Sequence, residues 1–526
     1  MDILKNYAEA LNLYRTKKFD AALKLVKKIE AAAPHWNKVF LLEIFIQRDR
    51  GEALKEFFLL EKLLPRLNFS LPEEKNLAAD AFNCFGSVNR FLGRAEDSVR
   101  AFCFSASLSN DNKSACTEIS NALFAANTFE NFSIADFQQL YDEYKKYLTD
   151  IKPYPRRFYR HDKIRVGFLS AHFQWSVVMA WSWHLLNGLD KNFFKLHCYS
   201  NVKAADDVTE HFQAVVDVWR DIRDLADERA AEIIREDEID ILFDLDGHTE
   251  DNRLRVAAYR PASVQVSGIG YMNSTGLDCF DYFLSDIFCA GDENFFTEKV
   301  IKLPHSHICY EPTTKLKPAD FPPCLKNNFI TFGSFNQFGK MTDSILIAWK
   351  KILDAVPKSK LILKHKIFDT IDGKNFVGER LKSFGFDLAR IEMRGFSAEN
   401  HLAEYGDVDI ALDTFPYTGG VTTCEALYMG VPVVSRYGER HGSRFGLSIL
   451  SNIGLEELAV ASYDEYINRA VMLANDWELL TLLRKNLRTM MKKSPLMDSE
   501  NYLHEIQEAL IKILGDEQKN FPSAKR

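Results

Sequence analysis

What this sequence lacks narrows it first. No apolar run approaches the ~20 residues of a membrane-spanning helix. The least polar stretch, Val177 to Leu186, is short, carries tryptophans and reads as buried. The opening residues, Met1-Asp2-Ile3-Leu4-Lys5, do not have the build of a signal peptide and run into an amphipathic helix. Nine cysteines are scattered with no CxxC and no Cys/His cluster at zinc spacing. That odd, unpatterned set predicts reduced thiols in a cytoplasmic setting. A basic surplus is missing too: the formal net charge is -8, which argues against nucleic-acid and membrane partners but not against a local basic pocket. The chain does have an ordinary hydrophobic fraction, 46% of 526 residues, enough for two or three domains with sizeable cores.

The chain divides into three regions. Residues 1–148 carry helical periodicity, as in Ala22-Leu23-Leu25-Val26-Ile29 and Phe85-Val88-Phe91-Leu92. The stretches starting at Tyr14 and at Phe91 resemble each other as helix, turn and helix, in the manner of degenerate tetratricopeptide repeats. They predict either a concave surface for a protein partner or a cap packed on the rest of the chain. After the linker Lys152-Pro-Tyr-Pro-Arg-Arg, short apolar strands alternate with helices over 160–315. A second linker, from Leu316 to Cys324, contains three prolines. The alternation restarts over 326–526, with helices expected at 344–355, 378–384, 400–405 and 423–429 and a helical tail. This pattern predicts two α/β lobes, each a parallel sheet covered on both faces, facing each other across a cleft. Ligands in such sheets sit beyond the carboxyl ends of the strands.

Two loops point at that cleft. Asp413-Thr-Phe-Pro-Tyr-Thr-Gly-Gly-Val-Thr-Thr-Cys-Glu runs from a strand end through glycines into a helix. Gly420 lets the backbone approach a ligand closely. The helix N-terminus and the hydroxyls of Thr422 and Thr423 favour a phosphate, and Glu425 can accept from ribose hydroxyls. Phe332-Gly-Ser-Phe-Asn-Gln-Phe-Gly-Lys also follows a strand and precedes a helix, so Gln337 and Lys340 can project to a pyrophosphate, with the ammonium of Lys340 suited to a leaving diphosphate. His401, past Gly395-Phe-Ser-Ala, can stack on a base or cap its helix. Each feature alone is ordinary.

Together, in order and spacing, these motifs resemble the O-GlcNAc transferase and SPINDLY family. The likeness runs from about residue 160 to 515. It includes Arg165-Val-Gly-Phe-Leu-Ser, Asp246-Gly-His-Thr, Arg260-Pro-Ala-Ser-Val-Gln-Val and Gly438-Glu-Arg-His-Gly-Ser-Arg. The resemblance implies a GT-B fold of two Rossmann-like lobes behind the helical region. It implies an inverting, metal-independent glycosyltransferase acting on a protein or peptide. The donor would be a nucleotide sugar carrying GlcNAc, glucose or fucose, a UDP-sugar ahead of a GDP-sugar, and the acceptor a Ser/Thr hydroxyl or Asn amide. By motif position Lys340 takes the diphosphate, beside Gln337; His401 stacks on the base; Glu425 holds ribose; Gly420, Thr422 and Thr423 form the phosphate loop. His248 is the titratable group beside sugar and acceptor. No cofactor is implied, and an oligomer is left open.

One departure stands out. Family members commonly carry a histidine in the loop after the first strand, where this chain has Ser176 or Trp175, with His172 displaced nearby. Either His172 substitutes as a catalytic group or the acceptor is handled differently. The competing class is a noncatalytic scaffold with a decayed transferase. A metal-dependent reading rests on the Asp-x-Asp spacing of Asp244 and Asp246 and is disfavoured, because a carboxylate ending a buried strand is common.

Overall fold

The computed structural model describes residues 2–397 and 401–520. Eight helices come first: α1 Ile3–Arg15, α2 Phe19–Ala32, α3 Asn37–Asp49, α4 Ala53–Leu63, α5 Pro72–Phe91, α6 Ala95–Leu108, α7 Asn112–Ala126 and α8 Ile134–Lys146. The turns after α1, α3 and α5 need a left-handed residue, supplied by Lys17, Gly51 and Gly93, so the helices fold back as pairs. A 3-10 turn at Leu64–Arg66 and the loop to Pro72 lengthen the step from α4 to α5, so the helix pairs are unevenly spaced along the chain.

Two parallel sheets come next. The first holds β1 Ile164–Ser170, β2 Phe194–Ser200, β3 Val218–Asp221, β4 Ile241–Asp244, β5 Val264–Gly268, β6 Tyr282–Asp286 and β7 Lys299–Leu303, in the order β3-β2-β1-β4-β5-β6-β7. The second holds β8 Thr331–Ser334, β9 Lys360–Lys364, β10 Ile391–Arg394, β11 Ile410–Leu412, β12 Val433–Arg436 and β13 Ala459–Val460, in the order β10-β9-β8-β11-β12-β13. Central strands read as unbroken apolar runs because helices cover both faces; Val166, Phe168 and Leu169 of β1 are fully buried. Each order reverses once, between β1 and β4 and between β8 and β11. Crevices open at such switch points, and there lie the loops with His172, Asp246-Gly-His248, Gln337 and Gly420.

The expected helices in the second lobe are found at Asp343–Ala355, Ile371–Ser383 and Val421–Tyr428. The expected helix at 400–405 is instead a 3-10 turn over Ala403–Asp407, and Asn400 lies outside the described residues. The last helix, Ser499–Asn520, departs from the expected boundary of the 326–526 lobe by packing on the first lobe. Its Glu517 accepts from Tyr282 Oη at 2.8 Å and pairs with Arg156 at 3.0 Å, and its Gln507 accepts from the Asp190 N–H at 2.8 Å. Among the described residues no helix is long and apolar enough to cross a membrane.

The helical region is no detached module. Side chains of α3, α4 and α5 share one apolar core with both lobes, and α6, α7 and α8 share another with Leu254, Leu277 and Phe280. Polar clasps reinforce this: Arg255 reaches the Tyr147 carbonyl at 2.7 Å, and Glu130 pairs with Arg436 at 3.1 Å. Helices α3 to α8 therefore pack directly on the two lobes.

Candidate active site

Lys340 sits in the 3-10 turn Phe338–Lys340, just past β8. Its ammonium donates to the Thr418 carbonyl at 3.3 Å and lies 3.5 Å from the Tyr417 ring centroid. Burial pushes it down to about 8, only partly offset by the nearby Asp413 charge. Asp413 ends β11 and is itself pushed up to about 6 by burial. It accepts from the Gly419 N–H at 2.7 Å and from Ser435 Oγ at 2.6 Å, which fixes the glycine loop. A Cβ on Gly419 would stand 2.5 Å from Thr423 Oγ1 and 2.8 Å from Thr422 Oγ1, so only glycine lets the loop lie on the helix start.

That helix, Val421–Tyr428, has Gly420 as its N-cap and no side-chain cap. Its first-turn N–H groups therefore have no intrahelical acceptor and, with the helix dipole, make an anion-favouring end. Thr422 Oγ1 donates to Asn336 Oδ1 at 3.1 Å, tying the loop to the end of β8. Thr423 is buried and Gln337 is exposed. His401 Nε2 faces Glu425 Oε2 at 3.3 Å. Its ring lies among Phe335, Phe396 and Tyr405, with centroids 6.0, 5.8 and 6.1 Å away.

Two cavities meet at Lys340. The outer, about 570 Å³, is lined by Gln337, Lys340, His401 and Thr422, and across from them by Arg90 and Phe124 of the helical region. The inner, about 180 Å³, is walled by Trp181, Met272, Phe445, Tyr417, Gly420 and Lys340 among others, and among the described residues no carboxylate lines it. The two lobes and the helical region thus close on one point. A larger groove of about 960 Å³ lies between the helical region and the second lobe and contains none of the expected site residues.

The histidines do not join this set. His248 lines neither cavity, is 1% exposed and has both ring nitrogens occupied. Nε2 donates to the Thr275 carbonyl at 2.8 Å, so Nδ1 accepts from Ser120 Oγ at 2.9 Å. Tyr144 and Tyr271 press edge-on at 5.2 and 5.3 Å. Burial pushes the imidazole down to about 4. The expectation that His248 titrates beside the acceptor is therefore corrected: it is a neutral strut between α7, α8 and the first lobe. Gly247 beside it has φ 51, and a Cβ there would meet the Tyr271 Cβ at 2.4 Å.

His172 also lines neither cavity; its Nε2 faces Thr249 Oγ1 at 3.2 Å, and burial lowers its pKa. Ser176, where the family pattern has a histidine, caps the helix Val177–Gly188 by accepting from the Met179 N–H at 3.2 Å. Of the two tryptophans nearby, Trp175 is 62% exposed, whereas Trp181 is 5% exposed and walls the inner cavity. Asp244 and Asp246 turn into the fold, accepting from the Gly247 N–H at 2.7 Å and from Ser170 Oγ at 2.5 Å. Burial drives both carboxyls above the ordinary range, which leaves no open carboxylate pair for a metal there.

Sequence reasoning missed Asn336, Tyr417 and Arg90. Asn336 and Tyr417 lie inside the two cleft loops and were legible by position. Arg90 comes from a region with no donor-site signature, and only tertiary packing brings it in.

Comparison with known proteins gives the family and the fold. The profile of Glycosyl transferase family 41 matches residues 145–316 and 322–506. A probable UDP-N-acetylglucosamine–peptide N-acetylglucosaminyltransferase SPINDLY of Solanum lycopersicum is 37% identical over 379 residues, covering 70% of this chain and 40% of the relative. The corresponding SEC protein of Arabidopsis thaliana is 27% identical over 375 residues, covering 67% and 37%. The chain thus spans about two fifths of the length of the plant relatives. A solved mutant of the Thermobaculum terrenum O-GlcNAc transferase superposes with TM-score 0.87 at 26% identity, covering 98% of both chains.

Proposed function

Because the chain belongs to glycosyl transferase family 41, we propose that it moves a sugar from a nucleotide-sugar donor to a protein side chain, with Lys340 meeting the donor's diphosphate. The observation that carries this is the placement of Lys340: its ammonium stands where the two cavities meet, against the loop that opens the helix Val421–Tyr428. Burial there lowers its pKa, and such groups cluster at functional sites. As the bond between sugar and diphosphate breaks, negative charge grows on the leaving group. A preorganised cation and a helix N-terminus stabilise that charge more in the transition state than in the ground state.

The remaining assignments gather around the outer cavity, which Gln337, His401 and Thr422 line, with Glu425 behind His401 and Thr423 behind Thr422. His401, with Phe335 and Tyr405, offers the base a stacking surface, and Glu425 takes the ribose hydroxyls. Gly420, Thr422 and Thr423 cradle phosphate, and Gln337 reaches over it. The names of the relatives favour a UDP-sugar. The sugar, GlcNAc, glucose or fucose, occupies the inner cavity, and a Ser/Thr hydroxyl or Asn amide attacks it there. No carboxylate among the described residues lines that cavity, which supports one direct displacement and hence inversion. Lys340 and the helix end offset the diphosphate charge, so the chemistry needs no metal. A noncatalytic scaffold would have no use for Lys340 in this state.

Calorimetry with UDP and GDP tests the donor site. UDP binding in the micromolar range is expected, weakened about tenfold by Glu425→Ala, the loss of one charged hydrogen bond. A folded protein that binds neither nucleotide at millimolar concentration would sink the proposal.

A further inference from the structure

One motif that resembles the family, Gly438-Glu-Arg-His-Gly-Ser-Arg, takes no part in the donor site, and its histidine has an unusual setting. His441 opens the 3-10 turn His441–Ser443 after β12. It is 1% exposed, and among the described residues neither ring nitrogen makes a well-aligned hydrogen bond, although the Met272 backbone lies beside the ring. Phe283, Phe296 and Phe445 present edges to the ring. Buried imidazole nitrogens with no partner are rare in folded proteins and call for an explanation.

Two groups of the first lobe face it. Cys289, in the turn after β6, is fully buried with its Sγ 3.4 Å from the His441 carbonyl. His307, after β7, is 1% exposed, and its ring centroid is 5.1 Å from that of His441. The His307 Nδ1 bonds Asp286 Oδ2 at 2.5 Å, while its Nε2 has no partner among the described residues. One ligand atom from each of Cys289, His307 and His441 lies within 4.8 Å of the others.

We propose that Cys289, His307 and His441 form a zinc site that pins the two α/β lobes together. A thiolate with two imidazoles suits zinc, whose bonds of roughly 2.0–2.3 Å set ligand atoms about 3.3–3.8 Å apart. Binding would draw the three ligand atoms together from within 4.8 Å of one another to that spacing. Asp286 already supplies the outer-shell carboxylate: by accepting from His307 Nδ1 it directs the Nε2 lone pair at the metal. Asp286 is itself an anion fixed by the N–H groups of Phe288, Cys289 and His307 and by Ser448 Oγ of the second lobe. On binding, the Cys289 thiol gives its proton to solvent. The charges of zinc, thiolate and Asp286 then sum to zero, which suits a buried site. None of the three residues lines the cavities at Lys340, so the ion holds architecture and takes no part in transfer. Sequence spacing could not reveal the site, because its parts come from three separate turns.

The test is metal content and ligand chemistry. The full chain, expressed with zinc and purified without chelator or affinity histidines, should carry about one zinc per chain by plasma mass spectrometry. Cys289→Ser and His441→Phe should each lower this at least tenfold. Metal-stripped protein titrated with cobalt(II) should develop a thiolate-to-cobalt charge-transfer band, absent in Cys289→Ser. If a variant fails to fold, the cobalt spectrum of the unaltered chain still decides. Protein that carries no metal and gives no thiolate–cobalt band overturns the proposal and leaves His441 as aromatic packing. Zinc retained undiminished in both variants overturns it as well.

Discussion

Replacing Lys340 with methionine separates function from folding. The substitution keeps the length of the stem and removes the charge. Folding lowers the Lys340 pKa from 10.5 to about 8, and each unit is about 1.36 kcal/mol. At pH 7 the lysine is protonated in both folded and unfolded chains, so the fold carries a penalty on the order of 3 kcal/mol. Because the folded pKa is depressed, this penalty fades as pH rises from 8 towards 10.5. K340M removes it but also forfeits the Thr418 hydrogen bond and the Tyr417 contact, about 1–2 kcal/mol together. The net is a gain of about 1–2 kcal/mol, or, for a chain of this length, a Tm higher by roughly 1–2 °C. Turnover should move the other way, falling on the order of a hundredfold or more as transition-state stabilisation is lost. Differential scanning fluorimetry and an initial-rate assay on one preparation read both. A folded K340M with unchanged turnover would remove Lys340 from the mechanism. A variant that loses stability as well as activity would refute the burial argument.

Two further outcomes are expected. Bound diphosphate favours the ammonium, so UDP affinity should fall as pH rises above about 8, where free Lys340 loses its proton, and this slope should vanish in K340M; calorimetry between roughly pH 7 and 9.5 checks it. His248→Ala should destabilise the chain by about 2–4 kcal/mol, through two lost hydrogen bonds and a cavity. The folded fraction should keep near-normal turnover and an unchanged pH profile. A stable His248→Ala protein with collapsed turnover would return His248 to the chemistry.

Much of the architecture was legible because its signals are local. Strands such as Val166 to Ser170 lie buried on both faces, so they read as apolar runs. The donor loops combine glycines, hydroxyls and a lysine at strand ends, where such sheets bind ligands. Other features depend on contacts made far along the chain. His248 reads as a catalytic base from its motif, yet Ser120, more than a hundred residues earlier, takes up its Nδ1. The helical region carries no donor-site signature in sequence, yet Arg90 walls the outer cavity. Ser176 looks like a lost catalytic group in sequence and proves to be a helix cap. The last helix follows the second lobe in sequence but is held on the first by Glu517.

The most direct test of sugar transfer is intact-mass analysis of proteins co-expressed with this chain, or incubated with it and UDP-GlcNAc, UDP-glucose or GDP-fucose in turn. One donor should add its sugar's mass to Ser, Thr or Asn side chains of a defined acceptor, and K340M should abolish the addition. Unmodified proteins with every donor, from a chain that binds UDP, would contradict the account.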